Sequence, residues 1–248
     1  MAKLAVLLIH GYGGTPLEMQ GIARVLEDKG IAAHAVCLTG HNGTEDDFTS
    51  TFFPDWRRAA EDAYDALAAQ HENVMVVGFS MGGTLALHLG TARRPVAIVT
   101  LAAPVYLYSF HPFVMTDWRL PFIGILKHFK PQWTLPPCPP EILAIAPWKG
   151  HARVVFLPQA HSLVQGMASV GKHLQHITAP ILLLHARKDG TVPYHNALHI
   201  AGKVSSSDVR VRIFDIQENR AGHHMIVVHQ ECCDMVAACV RDFAVEFM

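Results

Sequence analysis

The chain has 248 residues, of which 50% are hydrophobic and 17% are charged, and its net charge is −1 with the histidines neutral. This length and composition predict one large domain, with room for an insertion, whose core needs no disulfide bonds. The net charge excludes a strong overall attraction to nucleic acid or to an anionic membrane surface, and no run of basic residues forms a phosphate-binding stripe.

The cysteines and the N-terminal residues bear on the cellular location of the protein. None of the five cysteines belongs to a C-x-x-C pair, and their odd number is typical of thiols in a reducing compartment. The N-terminal apolar run ends in glycines without a small-residue cleavage pattern, so we expect no signal peptide. No run of eighteen apolar residues occurs that could span a membrane. We therefore expect a cytoplasmic protein.

In the first hundred residues, apolar runs alternate with amphipathic segments. Residues 4–9 are apolar throughout, as is typical of a strand buried on both faces of a parallel sheet. Apolar residues at helical spacing over 16–29 indicate a helix, which Gly30 ends. The same reasoning predicts strands over 31–38, 73–79 and 96–101, and helices over 54–71 and 81–90.

From about residue 105 to 176 this alternation stops. A proline-rich run at 135–140 cannot form a helix interior or a central strand. The stretch is nevertheless apolar, with aromatic residues that a disordered linker would lack: Phe110, Phe113, Trp118, Phe122, Phe129 and Trp133. We interpret 105–176 as a lid inserted into a core made of 1–104 and 177–248, packed over that core and facing a pocket. Ordinary helices that complete the core are the alternative.

The alternation resumes after the insertion. Strands are predicted over 181–186 and 209–216, and helices over 194–203 and 225–247. Four or more β-α repeats predict a doubly wound, mostly parallel sheet.

The strand at 73–79 runs directly into Gly78-Phe79-Ser80-Met81-Gly82, and a helix-like segment follows. A strand, a sharp turn and a helix are the context that a nucleophile elbow requires, with glycines where neighbouring backbones approach closely. The turn raises the Ser80 hydroxyl above the sheet, where a base can reach it. A glycine-rich turn with an idle serine is the alternative.

A serine nucleophile needs an adjacent base, and that base needs an orienting acid. In the chain order of this motif's fold, the acid comes after the serine and the histidine comes last, each beyond the carboxyl end of a strand. Asp189 follows the strand at 181–186 and is the candidate acid. Two adjacent histidines, His223 and His224, follow the last strand. Their side chains must point in different directions, so only one can face Ser80.

Acyl transfer also needs hydrogen-bond donors for the developing oxyanion. The backbone N–H of Met81, the residue after the nucleophile, is one candidate. The backbone N–H of Tyr12, in the glycine-rich loop after the first strand, is the other. No His-Glu-x-x-His motif or tight His/Asp cluster occurs, so we expect neither a metal site nor a cofactor.

Four motifs together resemble an α/β-hydrolase: Leu8-Ile9-His10-Gly11-Tyr12, the pentapeptide around Ser80, Asp189-Gly190-Thr191-Val192-Pro193, and the paired histidines. Within that superfamily the chain is most similar to small bacterial carboxylesterases and monoacylglycerol lipases. The likeness covers nearly the whole chain and is weakest across the insertion. The family's pattern at the start of its last helix implies that His224 is the catalytic histidine, with His223 as the second choice. His229 stands where the family commonly has Asp.

This resemblance implies a serine hydrolase that cleaves carboxylic esters, a carboxylesterase, through an acyl-enzyme intermediate. The apolar insertion implies a small lipophilic ester as the substrate, with a short or medium acyl chain, or a monoglyceride. A thioesterase, a C–C bond hydrolase or a proline-type peptidase would use the same three residues. A non-catalytic small-molecule binder on the same scaffold is the alternative from another class, although it need not keep serine, acid and base together.

Overall fold

The structure is a computed structural model that describes residues 4–110, 113–148, 150 and 154–248. The side chains of Phe110 and Phe113, two of the aromatic residues expected in the lid, lie outside the described part. The strands are β1 (Leu4–Ile9), β2 (Ala32–Val36), β3 (Asn73–Phe79), β4 (Ala97–Leu101), β5 (Tyr108–Phe110), β6 (Phe113–Met115), β7 (Gln132–Thr134), β8 (Val154–Phe156), β9 (Ile181–Ala186) and β10 (Val209–Phe214). The α-helices are α1 (Gln20–Glu27), α2 (Glu45–Thr49), α3 (Phe53–Ala68), α4 (Met81–Ala92), α5 (Ile123–Leu126), α6 (Pro140–Ile145), α7 (Leu157–Gly171), α8 (His195–Ala201) and α9 (Cys233–Val245).

Within the described residues, one parallel sheet contains six strands in the order β2-β1-β3-β4-β9-β10. A strand was predicted at each of these six places, from a continuous apolar run in four of them and from an alternating pattern in β2 and β10. The chain winds outward from β1 to β2, then returns to the other side of β1 with β3. Ligands bind at such a switch point, beyond the carboxyl ends of the strands. Because Ile9 pairs with Gly78, the loop after β1 and the turn after β3 leave the sheet side by side.

Helices cover both faces of the sheet, which is why its central strands are mostly apolar. One face is covered by α3, α4, α7 and α8, whose core residues include Trp56, Leu85, Met167 and Ile200. The other face is covered by α1 and α9, whose core residues include Ile22, Leu26, Val236 and Phe243. The result is the predicted three-layer, doubly wound α/β architecture.

The last helix begins later than predicted. Its start was predicted near Met225, whereas α9 begins at Cys233. The intervening residues form turns, because the backbone N–H of Gln230 donates to the carbonyl oxygen of Ile145 at 2.9 Å. Ile145 belongs to the insertion, so a tertiary hydrogen bond replaces the helical bond that the local apolar pattern favours at Gln230.

Residues 105–176, the predicted insertion, lie in the chain between β4 and β9, which are neighbours in the sheet. Strands β5 and β6 pair with each other, as do β7 and β8, and both pairs lie outside the main sheet. At the end of the segment, α7 joins the core, where Leu163, Met167 and Val170 belong to the same buried cluster as α3 and α4. In the part of the chain that the structure describes, no helix is long and apolar enough to cross a membrane.

Candidate active site

Ser80 occupies a strained backbone position between β3 and α4. Its φ is 52° and its ψ is −120°, a combination that residues with a Cβ rarely adopt. A Cβ on Gly78 would overlap the backbone of Gly82, and a Cβ on Gly82 would overlap the carbonyl group of Ile9. The glycines on both sides of Ser80 are therefore required by close backbone approach. The turn is held to the next strand by the Ser80 amide, which donates to Leu101 O at 2.8 Å.

The structure brings three of the predicted side chains into one hydrogen-bonded chain. The Nε2 atom of His224 lies 2.9 Å from Ser80 Oγ. Its Nδ1 atom lies 2.7 Å from Asp189 Oδ2. Because a carboxylate only accepts hydrogen bonds, Nδ1 carries the proton and Nε2 is left to accept one from the serine. This is the arrangement in which an imidazole can act as a general base toward a hydroxyl.

Asp189 is held in an ionised form by its surroundings. Its side chain is fully buried, and its second oxygen, Oδ1, accepts from the amides of Thr191 at 2.8 Å and Val192 at 2.9 Å. Burial alone raises the pKa of this carboxyl. The positive charge that His224 carries when protonated and hydrogen bonds from His185 and His224 outweigh burial, so the net pKa of Asp189 lies well below its ordinary value. The acid therefore stays charged at neutral pH and can stabilise an imidazolium.

His185 is a contact of Asp189 that the sequence analysis missed. It is a buried residue of β9, and its Nε2 atom lies 2.9 Å from Val192 O and 3.3 Å from Asp189 Oδ2. Both neighbours are acceptors, so Nε2 carries a proton that is shared between them. A histidine inside an otherwise apolar strand was the available signal, since a buried polar group requires a partner.

The two candidate histidines point in different directions. His223 is buried, and its Nε2 atom lies 2.6 Å from the carbonyl oxygen of Glu218. His223 therefore stabilises the loop after β10 through this hydrogen bond, while His224 faces Ser80. Among the described residues, no group of three or more His, Cys, Asp or Glu side chains is arranged to hold a metal ion.

The loop between β1 and the 3₁₀ turn Pro16–Met19, which we call the oxyanion loop (residues 10–14), lies beside Ser80. The carbonyl oxygen of Gly11 accepts from the Gly14 amide at 3.1 Å and lies 2.9 Å from His10 Nδ1. The Gly13 amide donates to His41 Nε2 at 3.2 Å. The backbone N–H groups of Tyr12 and Met81, in contrast, have no acceptor within the described chain. Two amides left without protein partners beside a nucleophile are what a developing oxyanion requires.

His10 and His41 hold the shape of the oxyanion loop. His10 accepts the Leu38 amide at Nε2, 3.2 Å away, and burial lowers its pKa to about 4 despite the hydrogen bond to Gly11. It is therefore neutral at pH 7. The ring of His41 lies 4.9 Å from that of His10, between centroids. The residues around Leu38-Thr39-Gly40-His41 thus brace the loop that carries Tyr12.

A cavity of about 270 Å³ opens beside Ser80. Its lining comes from both the core and the insertion and is almost wholly apolar: Tyr12, Pro104, Leu107, Leu120, Ile123, Leu126, Trp133, Leu135, Val155, Leu157, Ala160, Leu163, Val164, Met167 and Val192. The charged residues in the described lining are Asp117 and Arg119, which form a two-point ion pair with each other. The Arg119 guanidinium also lies 4.0 Å from the centre of the Trp133 ring. The cavity therefore offers an apolar chain a place next to the serine.

The parallel sheet, the elbow and the Ser80–His224–Asp189 chain define an α/β-hydrolase fold. The chain belongs to the family described as serine aminopeptidase S33, whose model matches residues 1–226. The expected resemblance to this superfamily, and within it to carboxylesterases and monoacylglycerol lipases, is confirmed by the comparisons.

Two sequence relatives and one solved structure show this similarity. The chain is 25% identical to a carboxylesterase of Bacillus subtilis (strain 168) over 240 residues, which cover 96% of this chain and 91% of the relative. It is 28% identical to a thermostable monoacylglycerol lipase of Bacillus sp. (strain H-257) over 214 residues, or 84% and 79% of the two chains. A structure from a study of the metagenome-derived lipolytic enzymes LipS and LipT superposes with a TM-score of 0.82 at 22% identity, covering 98% and 94%. This last likeness shows the fold.

Proposed function

We propose that this protein is a carboxylesterase that cleaves lipophilic esters of short or medium acyl chain, or monoglycerides, with Ser80 as nucleophile, His224 as base and Asp189 as orienting acid. One observation carries the proposal: the hydrogen-bonded chain from Asp189 through His224 to Ser80 ends at the mouth of an apolar cavity. The names of the two Bacillus relatives support the same reaction class.

The reaction follows from this geometry. Ser80 Oγ attacks the ester carbonyl carbon while its proton passes to His224 Nε2, and the carbonyl oxygen becomes an oxyanion held by the amides of Tyr12 and Met81. Collapse of this intermediate breaks the bond to the alcohol oxygen, which leaves with the proton from His224. A water molecule then attacks the acyl-enzyme, again giving its proton to His224. Release of the acid returns the proton to Ser80.

The cavity favours an uncharged, lipophilic substrate over a peptide with a free amino terminus. An aminopeptidase must balance the substrate's ammonium group, usually with a carboxylate. Asp117 is the acidic residue in the described lining, and Arg119 already neutralises it. The remaining lining is almost wholly apolar, so an acyl chain gains about 0.8 kcal/mol for each methylene that it buries there.

We further propose that residues 105–176 form a lid over the site, with α7 as its base. The residues of this segment supply most of the cavity lining, and its small sheets lie apart from the main sheet. A cytoplasmic location is also proposed, because all five cysteines are free thiols.

The test is the hydrolysis of p-nitrophenyl butyrate by the parent and by Ser80→Ala. We expect kcat to fall by about 10⁴-fold or more, since the nucleophile itself is removed. The matched control is Ser207→Ala, which makes the same change at an exposed serine and should keep full activity. Thermal unfolding of both variants shows that each is folded. Retained turnover in a folded Ser80→Ala protein would refute the assignment.

The rivals are separated with the same proteins. A panel of butyrate and octanoate esters, a monoglyceride, the matched thioester and alanine p-nitroanilide distinguishes the esterase from a thioesterase and a peptidase. A fluorophosphonate probe should label the parent and spare Ser80→Ala, because only an activated serine reacts with it. No labelling of the parent would indicate a non-catalytic binder.

A further inference from the structure

Glu18 is a buried acid that the proposed reaction does not use. It lies in the 3₁₀ turn Pro16–Met19, and only 4% of its surface is exposed. Burial raises the pKa of its carboxyl, and hydrogen bonds from the Gly11 amide and the Trp148 indole, together with the charge of His224, offset part of that rise. A buried carboxyl costs folding free energy unless its oxygens are hydrogen-bonded, so its partners indicate what it is kept for.

One partner of Glu18 belongs to the oxyanion loop. The Gly11 amide donates to Glu18 Oε2 at 3.1 Å. Three successive peptide groups of this loop are held by hydrogen bonds. The peptide that carries the Tyr12 N–H is held at its Gly11 carbonyl oxygen by the Gly14 amide and His10 Nδ1. The peptide before it is held at the Gly11 N–H by Glu18, and the peptide after it at the Gly13 N–H by His41. Glu18 is thus one of three side chains, with His10 and His41, that hold the segment from which the Tyr12 N–H projects.

The other partner belongs to the inserted segment. The indole N–H of Trp148 donates to Glu18 Oε1. Two residues further on, Gly150 packs against the same loop so closely that a Cβ there would overlap the carbonyl oxygen of Gly13. The insertion therefore meets the oxyanion loop at two places, once through Glu18 and once by direct backbone contact. Neither Glu18 nor Trp148 lines the apolar cavity in the described part of the chain.

We propose that Glu18 is a positioning residue that joins Trp148 of the insertion to the oxyanion loop and so sets the direction of the Tyr12 N–H. This inference rests on the proposed function, because it assigns Glu18 a role in stabilising the oxyanion of acyl transfer. Its two carboxylate oxygens are needed together. One accepts from the loop and the other accepts from the insertion, and no neutral side chain of the same size can accept at both ends.

The test uses Glu18→Gln, Trp148→Phe and the double variant. Glutamine has one acceptor oxygen and one NH₂ group, so in Glu18→Gln an NH₂ must face either the Gly11 amide or the Trp148 indole. Phenylalanine keeps an aromatic ring but removes the indole donor. In the double variant the glutamine oxygen is therefore free to turn to Gly11. The matched control is Glu27→Gln, the same change at an exposed position at the end of α1.

We expect kcat for p-nitrophenyl butyrate to fall about tenfold or more in Glu18→Gln, with KM within about twofold of the parent, because a misdirected oxyanion donor weakens only the transition state. Inhibition by a trifluoromethyl ketone, which forms an oxyanion adduct with the serine, should weaken by a similar factor. Trp148→Phe should lose less activity, and the double variant should be more active than Glu18→Gln alone. Glu27→Gln should match the parent.

A purely structural role for Glu18 gives a different result, with lower thermal stability, unchanged kcat and an unchanged inhibition constant for the ketone. That outcome, or a double variant no more active than Glu18→Gln, overturns the inference. Measurements on the parent enzyme distinguish a failure of the proposed function from a failure of the role assigned to Glu18. A parent that hydrolyses no ester and resists the fluorophosphonate probe contradicts the proposed function, whereas an active parent with an equally active Glu18→Gln contradicts only the role of Glu18.

Discussion

The apolar cavity makes chain-length preference a measurable consequence of one side chain. Ala160 lies on α7 and lines the cavity. Replacing it with Phe places a ring in space that an acyl chain would otherwise fill. The cavity holds about 270 Å³, just below the lower end of the range typical of small-molecule sites. An added ring of about six carbon atoms therefore displaces a substantial part of a medium acyl chain, since packed protein cannot yield that volume.

The magnitude follows from the burial of methylene groups. Each buried methylene contributes about 0.8 kcal/mol, or about fourfold in kcat/KM. In the parent we expect kcat/KM to rise by this factor per methylene from acetate to octanoate. If Ala160→Phe excludes about four methylenes of the octanoyl chain, the loss is about 3 kcal/mol, or roughly 10²-fold. Butyrate lacks the four terminal carbons of the octanoyl chain, so its kcat/KM should change by less than about threefold.

The assay compares kcat/KM for p-nitrophenyl butyrate and octanoate in both proteins. Ala168→Phe is the matched control, because Ala168 is exposed on the same helix, and its octanoate-to-butyrate ratio should equal that of the parent. Thermal unfolding verifies that each variant is folded. The reasoning is refuted if Ala160→Phe leaves that ratio unchanged, since the acyl chain would then bind elsewhere.

Three further predictions concern the site and its supports. His224→Ala should lower kcat by about 10⁴-fold or more. His223→Ala should reduce activity mainly by lowering stability, so its kcat at 20 °C, measured on folded protein, should stay within about tenfold of the parent's. Equal losses of kcat in the two variants would contradict the geometry. Gly82→Ala should destabilise the protein by about 3 kcal/mol in urea unfolding, because its Cβ meets the Ile9 carbonyl, while Gly21→Ala, with open space around it, should stabilise the protein by up to about 1 kcal/mol. Burial raises the pKa of Glu18 in the folded state, so folding favours its protonated form. The stability that this contributes is lost as pH rises from the pKa of Glu18 in the unfolded chain through its pKa in the folded protein. The Tm of Glu18→Gln relative to the parent should therefore be more favourable at pH 8 than at pH 4, and a difference independent of pH would contradict this assignment.

Much of the architecture was predictable because its signals are local. A strand buried on both faces needs a mostly apolar run, and the runs at 73–79 and 181–186 match β3 and β9 at both ends. The elbow is local in part: a Cβ on Gly78 would overlap Gly82, four residues away, whereas a Cβ on Gly82 would meet the Ile9 carbonyl at the end of β1. The order of Ser80, Asp189 and the histidines along the chain, set against a known family, then indicated which loops meet above the sheet.

The boundary of α9 shows where local patterns fail. Apolar residues continue directly after Met225, and this local pattern favoured a helix that begins there. The amide of Gln230 instead donates to Ile145, which lies in the insertion. A hydrogen bond between distant segments leaves no trace in the periodicity of either segment, so the helix start was predicted several residues too early.

The amino-acid sequence by itself determined the strands, the elbow and the loops in which the reactive groups lie, because each depends on residues within one or two turns of one another. The family resemblance favoured His224 over His223, and the tertiary structure places His224 against Ser80. Only the tertiary structure decided that His185 contacts Asp189 and that Glu18 joins Trp148 to the oxyanion loop. These contacts join segments far apart in the chain. Their distances are set by sheet register and by packing across the insertion, which no local pattern encodes.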